Sequence, residues 1–234
     1  MAKLVAIHQP NFFPWLGYFD KLARSDAFLL MDNVQYPKTG GTWLNRVKLP
    51  LAGKAEWVTM PIRRDHHGVL LCREVRIDDR LPWRKKLEKT IQTIYGRAPY
   101  FDEVFPVLSA LLAQPTDLLA SFNVEAIRTI ASRLGLDTSK LVLGSTLGCV
   151  GAASELIISM VKAVGGTAYL CGGGSGGYLD ETAFPLSGIE LVFQRFQHPT
   201  YTQPGESFIP GLSIIDALMN CGFAGTRSCL QSAP

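Results

Sequence analysis

No cysteine pair in this chain sits at CxxC spacing and no histidine falls where a zinc finger needs one, which argues against a metal-stapled fold. The cysteines, Cys72, Cys149, Cys171, Cys221 and Cys229, are odd in number and scattered, so a disulfide framework is not expected either. Charge is scarce: Asp, Glu, Lys and Arg make up 18% of positions, against roughly 25% in ordinary soluble domains. With 23 Lys and Arg against 20 Asp and Glu, a net charge of +3 gives no concentrated positive field for generic nucleic-acid binding. Long hydrophobic runs are missing as well. Glu155, Lys162 and glycines interrupt the later apolar stretches before the roughly 20 residues of a membrane span. His8, Gln9 and Pro10 cut the first one short of a signal peptide. The expectation is a soluble, cytoplasmic chain without a membrane span. There is no internal repeat, heptad array or long linker, so a single domain over 1–234 is expected.

What is present is enough apolar material for a sizeable core: 47% hydrophobic and 10% aromatic positions in 234 residues. The 22 Gly and 14 Pro point to many tight turns rather than a plain helix bundle. A short apolar strand, Leu4 to Ile7, precedes a polar turn and a helix opened by Pro14, with Trp15, Phe19 and Leu22 at helical spacing. A buried strand from Ala27 to Met31 completes a βαβ unit, the building block of a parallel sheet. WLNRVKLP and EWVTMP, joined at Gly53, predict a β-hairpin, to which Val75 to Ile77 adds a third strand. Helices near Trp83 to Tyr95, Phe101 to Leu112 and Leu118 to Leu134 form a helical insertion at about 82–135. Strand and helix alternation returns with Leu141 to Leu143, Ala153 to Val164, Ala168 to Cys171 and Ile189 to Phe193. The last helix, Ile214 to Asn220, is followed by a tail too small and polar to be much of a core element. The fold class is therefore α/β, with a mostly parallel Rossmann-like sheet, a small β-rich extension and a helical insertion.

Four segments carry candidate chemistry. His8, Gln9 and Asn11 close the first strand beside a helix N-terminus, where open α/β sheets bind ligands and backbone N–H groups favour anions. The plainer alternative makes Asn11 a helix cap and His8 a local hydrogen-bonding group. Asp32, Gln35, Lys38, Asn45 and Arg46 follow the second strand, and that mixture suits a phosphorylated ligand: cations for phosphate oxygens, amides for a base or sugar edge, a carboxylate for a hydroxyl, an amine or Mg²⁺. The glycine-rich loop YLCGGGSGGYLD carries Gly172, Gly173, Ser175 and Tyr178 and can wrap a phosphate or sugar, although its spelling is neither a P-loop nor a dinucleotide fingerprint. His198, Tyr201 and Gln203 lie in a proline-punctuated loop, where an imidazole titrating near neutrality can act as a base. Asp216, inside an apolar helix, reads as a structural hydrogen-bonding partner, and His66 and His67 as solvated surface. A Cys–His pair built on Cys171 competes with the view of that thiol as a small buried hydrophobe.

The segments IHQPNFFPWLGYFDK, DNVQYPK with WLNR, WRKKLEKTI with Tyr95, YLCGGGSGGYLD, and FQHPTYTQ with FIPGLSIIDALMNCG together resemble the WbqC-like family over nearly the whole chain. Cys171 is a departure, standing where the resemblance leads one to expect a small hydroxyl residue. Proteins of that family are associated with bacterial surface-polysaccharide and natural-product gene clusters. They are suspected of attaching glycine or another amino acid unit to an amino sugar. The resemblance thus implies an amide-forming aminoacyl or acyl transferase acting on a nucleotide-linked amino sugar. In that expectation His8, His198 and Lys38 are the catalytic candidates, and Lys38 and Arg46 hold phosphate charge. The donor is a free amino acid with ATP and Mg²⁺, an aminoacyl-tRNA or a carrier thioester. The layout is also similar to nucleotidyltransferases that activate carboxylates, with Trp15 and Tyr18 where an HxGH signature aligned on Gly17 would carry its two histidines. The rival expectation is a non-catalytic accessory subunit that binds a nucleotide-sugar, and a homodimer stays open in either case.

Overall fold

The computed structural model describes residues 2–37, 42–65, 68–172, 179–205 and 207–231. Five short strands form one parallel sheet: β1 (Leu4–His8), β2 (Ala27–Leu30), β5 (Leu141–Leu143), β6 (Ala168–Cys171) and β7 (Glu190–Phe193), in the order β5-β2-β1-β6-β7. The strand sequences explain the arrangement. AFLL in β2 and AYLC in β6 are buried at every position, as strands covered on both faces must be, while β7 at the edge exposes Glu190 and Phe193. The alternation along β1 sorts the core into two layers. Val5 and Ile7 pack with Leu29, Leu156, Met160, Tyr169 and Phe184, and Ala6 faces the opposite layer with Phe19, Phe28 and Leu170.

The first layer is covered by α5 (Ala153–Ala163) and α6 (Ala183–Leu186), and the second by α1 (Leu16–Arg24) and α7 (Ile214–Gln231). Between β2 and β5 the chain makes the antiparallel hairpin β3 (Arg46–Leu51) and β4 (Lys54–Thr59), then α2 (Trp83–Tyr95), α3 (Phe101–Leu112) and α4 (Leu119–Arg133). Phe122 of α4 meets Phe12, Phe13 and Trp83, so the inserted helices share the larger core rather than forming a separate one.

Three local expectations change. Val75 to Ile77 makes no strand: Ile77 and Arg76 form isolated bridges with Ile62 and Leu118, because the segment leaves a 3₁₀ turn at Cys72–Glu74 and bonds to the approach of α4 instead. Pro14 precedes the cap residue Trp15 and is not the first helical residue of α1. The last helix does not stop at Asn220. It kinks at Gly222, which sits at φ 67° where a Cβ would lie 2.6 Å from the Tyr100 ring, and continues with Phe223, Thr226 and Leu230 buried. No helix among the described residues is long and apolar enough to cross a membrane.

The sheet order positions the site. From β1 the chain steps outward through β2 to β5 on one side, then returns and steps through β6 to β7 on the other. The reversal lies between adjacent β1 and β6, and the crevice outside their carboxyl ends is where open α/β sheets take ligands.

Candidate functional site

At the carboxyl end of β1 the Gln9 carbonyl accepts two hydrogen bonds, from His8 Nδ1 at 3.1 Å and from Tyr18 Oη at 3.1 Å. A carbonyl only accepts, so the proton of the neutral His8 ring is assigned to Nδ1, leaving Nε2 with its lone pair. The ring rests against Tyr18 at a centroid distance of 4.7 Å. One turn further along α1, Lys21 is 4% exposed and donates Nζ to the Ile7 carbonyl at 3.3 Å. A Cβ placed on Gly172, just past β6, would lie 3.8 Å from that Nζ. Burial lowers Lys21 to about 8, opposed by the neighbouring Cys171. Burial and then the Lys21 ammonium lower His8 to about 3. At neutral pH the crevice therefore presents one desolvated ammonium beside an uncharged imidazole, a setting suited to an anion.

The crevice has two lobes that share His8, Lys21 and Gly172. One, of about 620 Å³, runs beneath Gln9, Gln35, Met31 and the first turns of α5. The other, of about 430 Å³, is walled by Trp15, Tyr18, Arg195 and Phe196. Non-glycine residues held at positive φ rim both lobes, Ala153 at 46° and Arg195 at 48°, and Phe13 at 39° lies in the loop between β1 and α1. Such strain persists only where surrounding structure fixes it, and it concentrates at binding sites.

The aromatic wall depends on Gly17. A Cβ there would lie 2.2 Å from Trp15 ring atoms, so the indole lies flat on the first turn of α1 only because that position has no side chain. Trp15 in turn contacts Phe196 at 5.3 Å and His198 at 5.2 Å. Behind the wall, Gln194 Nε2 donates to the Gly17 carbonyl at 2.6 Å and to Asp20 Oδ2 at 2.7 Å, fastening α1 to the end of β7. Gly17→Ala is expected to expel the indole, with overpacking costing about 1–3 kcal/mol and the better helix propensity returning about 1 kcal/mol. A drop in melting temperature with a red shift of tryptophan fluorescence checks it; unchanged fluorescence would show that the ring has room to slide.

Of the residues singled out in the sequence, the crevice brings together His8, Gln9, Gln35 and Gly172. His198 stands behind Trp15 and does not line either lobe, and burial lowers its basicity. Asn11 is buried and does not cap α1, whose cap is Trp15. Asp32 accepts Ser145 N at 2.8 Å and Ser145 Oγ at 2.7 Å, tying the ends of β2 and β5. Asn45 accepts from Tyr36 Oη and donates to the Met60 carbonyl, each at 2.9 Å. The Arg46 guanidinium lies 4.3 Å from the Trp57 ring centre on the hairpin. Tyr201 and Gln203 both donate to Asp216 at 2.7 Å. Lys38, Gly173, Ser175 and Tyr178 lie outside the described residues, as do His66 and His67. Among the described residues no group of three or more His, Cys, Asp or Glu is placed to hold a metal ion.

Sequence reading missed Lys21, Gln194, Arg195 and the wall of Trp15 and Phe196. The signal for Lys21 was its place three residues after Tyr18 and next to Leu22, on the stripe of α1 that is buried.

The chain is similar to an uncharacterized protein of Mycobacterium tuberculosis (strain ATCC 25618 / H37Rv), Rv1507c, with 29% identity over 222 residues covering 94% of each chain. No solved structure matches it. The model of the WbqC-like protein family matches residues 9–228, a span that begins at Gln9 and reaches into the second half of the kinked last helix, and the chain belongs to that family.

Proposed function

We propose that this chain is an amide-forming transferase that attaches glycine or a related amino acid unit to the amine of a small molecule, a nucleotide-linked amino sugar in the first instance. The observation that supports this reading best is the two-lobed crevice whose halves meet at His8 and Lys21, giving two substrates one shared polar junction. Lys21 supplies the charge for a substrate phosphate. Burial is the larger of the two effects that depress the imidazole and persists when the site is filled; a seated phosphate offsets only the lesser one, the Lys21 ammonium, and returns part of the basicity of His8. Its Nε2 then accepts the proton of the attacking amine while the nitrogen closes on the acyl carbon and the bond to the donor's leaving group breaks. The lobe lined by Trp15 and Phe196 offers flat apolar surface for one partner, and the larger lobe beneath Gln9 and Gln35 offers amide groups for a sugar or base edge.

The donor is an aminoacyl-tRNA, a carrier thioester, or an acyl group activated by ATP with Mg²⁺. For the ATP route the signature histidines are missing: Trp15 and Tyr18 stand where an HxGH pair would carry them, and of the two imidazoles packed against them only His8 lines the crevice, His198 lying behind Trp15. The test is a mass-resolved incubation of the purified protein with a nucleotide-linked amino sugar, Mg²⁺-ATP and a pool of amino acids including N-acetylglycine. A product heavier by one acyl-amino-acid unit is expected. Tight sugar-nucleotide binding with no product from ATP, carrier or tRNA donors would replace the transferase by a binding subunit.

A further inference from the structure

The smaller lobe of the crevice holds a second cation. Arg195 lines it together with Lys21, and among the described residues no Asp or Glu lines either lobe. A chain whose net charge is only +3 thus gathers two positive charges and no negative one around a single concave wall. The two cations differ in setting. Lys21 is 4% exposed and sits where the lobes meet, whereas Arg195 is exposed to solvent. Among the described residues no carboxylate pairs with the Arg195 guanidinium and no hydrogen bond fixes it.

The backbone that presents Arg195 is fixed from both sides. Gln194 N donates to the Cys171 carbonyl at 2.9 Å, the Gln194 carbonyl accepts Arg24 Nη1 at 2.9 Å, and Gln194 Nε2 donates to Gly17 and Asp20 of α1. The next residue, Phe196, packs edge-on against Trp15. Between these anchors Arg195 is held at φ 48°, a conformation that costs an arginine energy and that a solvated surface arginine does not need. A wall with two cations and no acid, one of the cations held by its neighbours' backbone but bonded to none of them, is complementary to a ligand with two adjacent negative groups.

We infer that the smaller lobe is a diphosphate site, with Arg195 taking the outer phosphate in a two-pronged hydrogen bond and Lys21 the inner one at the junction with the larger lobe. The choice of a second phosphate over a carboxylate follows from the proposed transfer, on which this inference rests: an amino acid unit activated for transfer carries no free carboxylate, so the second anion belongs to a nucleotide. A nucleotide-linked sugar and ATP share that linkage.

Calorimetric titrations of the full chain with inorganic pyrophosphate and with inorganic phosphate, at matched ionic strength, test the site without turnover. The natural protein is expected to prefer pyrophosphate by about tenfold or more, and Arg195→Gln to lose about tenfold in pyrophosphate affinity with little change for phosphate. Lys89→Gln removes an exposed cation of α2 that lines neither lobe and is expected to keep the preference, which excludes a general effect of charge. Arg195→Gly, which relieves the backbone, is expected to melt no lower than the natural protein and to lose pyrophosphate as Arg195→Gln does. Displacement of bound pyrophosphate by UDP-glucosamine at lower concentration than by ATP assigns the site to the acceptor, and the reverse order assigns it to an ATP-activated donor. No preference in the natural protein, a preference that survives Arg195→Gln or falls equally in Lys89→Gln, or an Arg195→Gly variant that melts lower would overturn the assignment. Product formation without the pyrophosphate preference would discard the diphosphate site and keep the transferase; the preference without product would do the opposite.

Discussion

Lys21→Met is expected to melt higher than the natural protein and to lose its anionic ligand. Burial holds Lys21 at about 8 instead of 10.5, and a shift of that size corresponds to about 3 kcal/mol of cost for carrying the charged group in the fold at pH 7. Methionine fills the stem volume without that cost but forfeits the hydrogen bond to Ile7, worth about 1 kcal/mol. The net gain is about 2 kcal/mol, or roughly 4–8 °C in a domain of this size. Its pH dependence has a definite sign. Between about 8 and 10.5 the unfolded lysine binds a proton that the folded one has released, so the natural protein gains stability as pH rises through that window. The advantage of the methionine variant is therefore full below pH 8 and gone by 10.5.

Ligand binding moves the other way. Removing a desolvated ammonium that holds a phosphate is expected to weaken a nucleotide-linked sugar by about a hundredfold, and the alkaline loss of affinity near pH 8 should disappear with it. Thermal melts and calorimetric titrations between pH 6 and 10 read both effects. A variant that binds as well as the natural protein would remove Lys21 from the site, and one that melts lower would show that the ammonium is better paired than its surroundings indicate.

The sequence made the frame readable because its strands are short unbroken apolar runs bounded by turn residues. Leu141 to Leu143 and Ala168 to Cys171 are found at the limits expected, as are the helices Trp83–Tyr95 and Phe101–Leu112. The second half of α7 was hidden because small and polar residues surround Gly222 there, and its burial comes from contact with Tyr100 far along the chain. The site was half legible for a related reason. His8 and Gln9 follow from the end of a strand, a local fact. Whether a loop amide or carboxylate faces a ligand depends on partners distant in sequence: Asp32 finds Ser145, Asn45 finds Tyr36 and Met60, and Gln203 finds Ile209 and Asp216. Lys21 was passed over because a lysine in a helix is ordinarily solvated, and only the three-dimensional crowding of β1, α1 and Gly172 removes its water.

Asn123→Leu is expected to show what the inserted helices do for the crevice. Asn123 is fully buried in α4, and its Nδ2 donates to the Pro10 carbonyl at 2.8 Å and to the Leu44 carbonyl at 2.7 Å. One amide thus pins the strand that leaves His8 and the loop that enters β3 to the same helix. Leucine is close in size but leaves both carbonyls buried and unpaired, at about 1–3 kcal/mol each. Losing the partnerless Asn123 Oδ1 offsets a small part of that. The net destabilisation is about 2–5 kcal/mol, or roughly 5–15 °C in melting temperature. Asn123→Asp separates hydrogen bonding from packing: it keeps the shape, removes both donors and is expected to fall at least as far. Because Pro10 adjoins the carbonyl that orients His8 and Tyr18, the surviving folded fraction should also bind a nucleotide-linked sugar more weakly than the natural protein. Melting temperatures of both variants within a degree of the natural protein would mean that the two carbonyls find other donors, and that the inserted helices support the core without fixing the His8–Gln9 turn.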